Sequence, residues 1–138
     1  MSIIEVKFAT PHPVADAKRR IVAAVTRLVA DILRRNPAIC ALMVENIAAD
    51  DWFTGGRPLS ETGKAAFWLE IRVTDGSVSK DDMARFIGAT FAAMAELLGP
   101  LHEESYVHVF PVRADSCGYG GRTQEYRFVT ARLDKPAG

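Results

Sequence analysis

The chain states one structural phrase twice. Ile3–Phe8 reads as a strand, Pro13–Arg35 as a helix and Cys40–Ile47 as a strand, followed by a loop that ends Phe53-Thr54-Gly55-Gly56-Arg57. Phe67–Val73 then reads as a strand, Ser79–Leu98 as a helix and Tyr106–Val112 as a strand, followed by a loop that contains Gly118-Tyr119-Gly120-Gly121-Arg122. The interval between the two Gly-Gly-Arg endings nearly equals the interval between the two opening strands. A strand–helix–strand phrase of this length predicts two parallel strands joined by a right-handed crossover. Two such units, at about 2–57 and 66–122, predict a single α+β domain with a short C-terminal tail. Its expected core is one four-stranded mixed sheet with two helices on one face.

The strand and helix assignments rest on hydrophobic period. Ile4, Val6 and Phe8 share one side of the first strand, and Ile3, Glu5 and Lys7 the other. Ile21, Val25, Leu28 and Ile32 recur at helical spacing, and Asn36-Pro37 stops that helix. The almost wholly apolar run Cys40–Ile47 fits a strand buried on both faces. Ser79 followed by Asp82 resembles a capping box, and Met83, Phe86, Ile87, Thr90, Phe91, Met94, Leu97 and Leu98 form the second helix's buried stripe. The sheet face away from the helices carries Trp68, Tyr106 and Phe110, so it is expected to meet another subunit. Glu125–Arg132 is expected to be an edge strand or interface arm, and Pro136–Gly138 to fray.

Bulk properties exclude several classes. The chain holds 17 basic and 17 acidic residues, so it offers no field for nucleic acid or an anionic membrane. Ile87–Leu98, its longest apolar helical stretch, is too short to span a bilayer. Glu5 and Lys7 interrupt any apolar leader. Cys40 and Cys117 lie far apart and have no metal or redox spacing, which reads as two reduced thiols in a cytoplasmic protein without a metal or other cofactor.

The doubled unit with a glycine-rich hairpin in each copy resembles the tautomerase superfamily, specifically the 4-oxalocrotonate tautomerase-like proteins in which two units are fused. Glu45-Asn46-Ile47-Ala48-Ala49-Asp50-Asp51-Trp52-Phe53-Thr54-Gly55-Gly56 is similar to the end of that family's first unit. The resemblance runs from about Ile3 to Gly121. It implies isomerase chemistry on small unsaturated or 2-oxo carboxylates, and assembly as a homotrimer. It also implies a mechanism in which an amino-terminal proline, exposed by loss of the initiator methionine, moves a proton between carbons. Here position 2 is Ser2, whose amine is primary. The family's arginine positions fall near Ala41, Tyr106, His12 and Val78, none of them arginine. Keto–enol tautomerisation by the Ser2 amine is therefore expected to be weak or altered. A non-catalytic member of the same fold that binds a small acid or a protein stays open beside it. So does a ferredoxin-like dimer, although that fold does not require the Gly-Gly hairpins.

The candidate residues follow from this reading. Ser2 is the expected base, and His108 a proton donor or carboxylate partner, each weighed against a purely structural role. Arg72, Arg113, Arg57 and Arg122 are the basic residues nearest strand ends and hairpins, where one or two would hold a carboxylate. Trp52 is the resemblance's aromatic wall, and Tyr119 would donate to an oxyanion. Cys117 reads as an ordinary loop thiol, and His12 and His102 as local loop residues.

Overall fold

The structure is a computed structural model and describes residues 2–135. The first unit comprises β1 (Ser2–Ala9), α1 (Ala17–Ile32), β2 (Cys40–Asn46) and a two-residue hairpin of β3 (Phe53–Thr54) and β4 (Arg57–Pro58), then one helical turn, α2 (Leu59–Thr62). The order then repeats: β5 (Ala66–Thr74), α3 (Lys80–Leu98), β6 (Tyr106–Val112), a hairpin of β7 (Gly118–Tyr119) and β8 (Arg122–Thr123), and α4 (Gln124–Leu133). Counterparts stand at one constant interval: Gly55 with Gly120, Arg57 with Arg122, and the first residues of α2 and α4, Leu59 with Gln124.

The four long strands form one mixed sheet in the order β2-β1-β5-β6. β1 and β2 are parallel, as are β5 and β6, and the two units meet where β1 runs antiparallel to β5. One face is dry. Ile4, Val6 and Phe8 of β1 and Phe67, Leu69, Ile71 and Val73 of β5 are buried there against Ile21, Val25 and Val29 of α1 and Phe86 and Met94 of α3. The opposite face is covered by no layer among the described residues. Rows of side chains cross it in register: Ala41, Ile3, Arg72 and Phe110; then Met43, Glu5, Glu70 and His108; then Glu45, Lys7, Trp68 and Tyr106. Met43, Tyr106 and Phe110 are exposed on it. β2 is thus an edge strand with one open face, not a strand buried on both. Its Ala41 and Met43 belong to the open face, so an apolar run alone mimicked full burial.

Three further expectations are corrected. The first helix is shorter than Pro13–Arg35, because Asp16 (φ 52°) and Arg34 (φ 55°) take left-handed conformations at its two ends. The stretch Glu125–Arg132 is helix, not strand or extended arm. Thr123 starts it by accepting a hydrogen bond from the Tyr126 N–H at 3.0 Å. Ile87, placed in the buried stripe of α3, is instead 41% exposed. Pro136–Gly138 lie outside the described residues.

The two long helices are tied together at one end. Arg34, just after α1, reaches Asp82 in the first turn of α3 at 2.7 Å, and the Asp82 N–H donates to Ser79 at 3.1 Å. The hydrogen bond from Arg34 holds the Asp82 carboxyl below the usual range. The folded state therefore binds that proton more weakly than the unfolded chain, whose aspartates titrate at about 3.9. The stabilisation is present above that pH and is lost as pH falls through the lower, folded value. Asp82→Asn is expected to lower the thermal midpoint at neutral pH, with the gap to the parent closing in strong acid. Midpoints measured across an acid titration check this.

Candidate active site

The start of β1 lies in the wall of a cleft of about 680 Å³. Ser2 is only 2% exposed, and its hydroxyl has no hydrogen-bond partner among the described residues. The parallel register sets Ser2 beside Cys40 at the start of β2, and Ala38 and Ile39 lead into that strand. From the other unit come Arg72 of β5, which pairs with Ile3 across the antiparallel seam, and the segment Ser116–Tyr119.

That segment is held by specific contacts. Arg113 clamps Asp115 through two hydrogen bonds of 2.9 and 2.6 Å. The Arg113 carbonyl accepts from Ser116 Oγ at 3.1 Å and Cys117 Sγ at 3.3 Å, which folds the loop back toward Ser2. Gly118 is required here: a Cβ would lie 2.1 Å from the Arg122 carbonyl oxygen across the hairpin. Tyr119 is gripped by α4. The Arg127 guanidinium stacks on its ring at 3.9 Å, and Arg127 donates to its carbonyl at 2.9 Å.

Within one chain the structure brings Ser2, Arg72 and Tyr119 to one cleft and places the other candidates elsewhere. His108 lies on the open sheet face, stacked between Tyr106 and Phe110 at 5.9 and 5.6 Å. Trp52 lines a different cleft. Arg57 pairs with Glu61 at 3.7 Å beside the first hairpin, and Arg122 packs on the Tyr126 ring at 4.7 Å. The Arg113 guanidinium is committed to Asp115.

Sequence reasoning passed over both cysteines. Cys40 and Cys117 line the cleft together, and burial pushes the Cys40 thiol up, so it stays protonated at neutral pH. Their sequence separation hid this, and only the strand register and the Arg113 loop reveal it. Arg72 is the one cation among the lining residues, and Glu70, largely buried, lies 2.7 Å from it. Among the described residues no group of three or more His, Cys, Asp or Glu side chains could hold a metal ion. Nor is any helix among them long and apolar enough to cross a membrane.

Two β-α-β units sharing one four-stranded sheet give the chain the fold of solved fused 4-oxalocrotonate tautomerase (4-OT) proteins. The chain is similar to Pt0534 in the crystal structure of its form inactivated by 2-oxo-3-pentynoate, with a TM-score of 0.77 and 13% identity over 91% of this chain and 98% of that one. It is similar to the wild-type fused 4-OT Q0 symmetric trimer, with a TM-score of 0.74 and 19% identity over 89% of this chain and 96% of that one. In sequence it is 27% identical over 66 residues to a probable tautomerase K2 of Dickeya dadantii (strain 3937), covering 48% of this chain and 98% of that protein. No family model matches the chain.

Proposed function

We propose that the protein is a tautomerase-like isomerase that moves a proton on small unsaturated or 2-oxo carboxylates, with the amine of Ser2 as the base. One observation carries this reading: Ser2 is buried in a cleft wall beside a cation, a phenol and two thiols rather than projecting into solvent. The small side chain of Ser2 permits removal of Met1, which frees the amine. A cleft with more apolar than polar lining disfavours its ammonium form and keeps a base available near neutrality. Arg72 holds the substrate carboxylate, and the Tyr119 hydroxyl faces the developing oxyanion. With phenylenolpyruvate, the amine accepts the enol O–H proton and a proton is delivered to the adjacent carbon, giving the ketone.

We further propose that the chain works as a homotrimer, with the open sheet faces toward the centre. The exposed Met43 and Phe110 support this, as does the trimeric assembly of the wild-type fused 4-OT Q0. The two free thiols, Cys40 and Cys117, fit a cytoplasmic setting.

Ketonisation of phenylenolpyruvate followed by proton NMR tests the chemistry. The expected rate is about 10²-fold above buffer, the low end of what one positioned general base contributes. A rate equal to buffer, from protein shown by mass spectrometry to have lost Met1, overturns it. A second reading, small-acid binding without turnover, is favoured by the pairing of Arg72 with Glu70, which leaves less positive charge for a transition state. Retention of Met1 in the native protein would support that reading.

A further inference from the structure

The duplication carries a second cleft. At the same interval that relates the hairpins, Trp52 and Phe53 stand where Cys117 and Gly118 line the Ser2 cleft, and Trp68 stands where Ile3 does. Tyr106 replaces Ala41, and Glu104 replaces Ile39. These residues, with His102, line a space of about 550 Å³. The place of Ser2 itself is taken by Phe67, fully buried in the core. The second cleft therefore occupies the equivalent place in its unit, with no chain terminus and a different lining.

That lining has inverted chemistry. The first cleft offers a cation and thiols, whereas the second offers a carboxylate among aromatic rings. Glu104 accepts a hydrogen bond from the Tyr106 hydroxyl and takes part in none of the ion pairs among the described residues. Lys7 pairs with Glu5 rather than with Glu104. Its Nζ lies 3.9 Å from the Glu5 carboxylate, and 5.7 Å from the Trp68 ring centroid, which marks that ring as a cation acceptor. The His102 ring is fixed by accepting the Glu104 N–H at Nδ1, 3.0 Å away. An anionic group flanked by two indoles and a phenol is the arrangement that holds an alkylammonium ion: the π-faces attract the charge, and the carboxylate is its counter-ion.

We propose that this second cleft is a binding site for a quaternary or alkylated ammonium group. Within one chain the site is separate from the Ser2 cleft, and its test reads binding rather than ketonisation. The chain has two tryptophans, Trp52 and Trp68, and both line this cleft while neither lines the other. Intrinsic tryptophan fluorescence of the full chain is titrated with choline, and in parallel with 3,3-dimethylbutanol, its neutral isostere, at matched ionic strength. The expected result is a saturable change with choline, and affinity at least about tenfold weaker for the alcohol, the ratio that about 1.4 kcal/mol of charge recognition gives. Glu104→Gln is expected to weaken choline by about tenfold as well, and Tyr106→Phe, which keeps the ring and frees the carboxylate, to weaken it less. An equal response to choline and the alcohol overturns the proposal. So does the absence of a saturable response at millimolar choline, including the case in which another copy of the chain fills the cleft.

Discussion

A Ser2→Pro chain is expected to ketonise phenylenolpyruvate about 10- to 100-fold faster than the serine chain, the range over which the orientation of a reacting group changes rates. The reason is local. With Met1 removed, a serine amine rotates about its bond to Cα, so its lone pair spends only part of its time aimed at substrate. A pyrrolidine nitrogen is fixed by its ring. The substitution is tolerable in the frame, because proline is accepted as the first residue of a strand and residue 2 opens β1. Stability should barely change, and the gain should appear in kcat more than in KM, since the proposed substrate-holding residues, Arg72 and Tyr119, are the same in both chains. The pH profile gives a second check. A free α-amine titrates at about 7.7–8.0, and desolvation lowers that value. Only the unprotonated amine accepts a proton, so activity should fall as pH drops through its pKa in both chains. If the proline chain is folded, has lost Met1 and is no faster, residue 2 is not the base.

The frame was legible in the sequence because each unit carries its own period. Alternation in Ile3–Phe8 and Phe67–Val73 and the Gly-Gly hairpins are local signals, and they lead directly to the sheet and its shared helical face. What failed was also local. Tyr126, Phe128, Val129 and Thr130 are good strand formers, and their composition masked α4. The clue was the duplication itself, since α2 follows the first hairpin at the same interval. The candidate site was legible only in part. Ser2, Arg72 and Tyr119 converge as their strands and hairpin dictate, but Cys40 and Cys117 meet only through tertiary structure. Trp52 faces the second cleft because, within one chain, each hairpin packs against the opposite unit's opening strand.

The largest effect on stability is expected from Phe67→Ala, at about 3–5 kcal/mol, the usual cost of removing a buried ring and leaving a cavity. Phe67 is fully buried, pairs with Phe8 across the antiparallel seam, and sets its ring 6.3 Å from Phe91 at 50°. It touches both units at once, so its loss loosens the seam between them as well as one helix. A domain of this size has about 5–15 kcal/mol to lose, so the variant should unfold at far lower urea with an unchanged m-value. A loss below about 1 kcal/mol would mean that the seam is not packed as described. The same position explains why the two clefts differ in chemistry. In the first unit the opening strand starts at residue 2, which presents an amine to its cleft once Met1 is removed. In the second the chain runs on through Ala66, so the corresponding place has only an amide, and a core phenylalanine fills it. Phe67→Ala should therefore weaken the fold without creating a second proton-transfer site, and the residual ketonisation of the folded fraction should still depend on Ser2 alone.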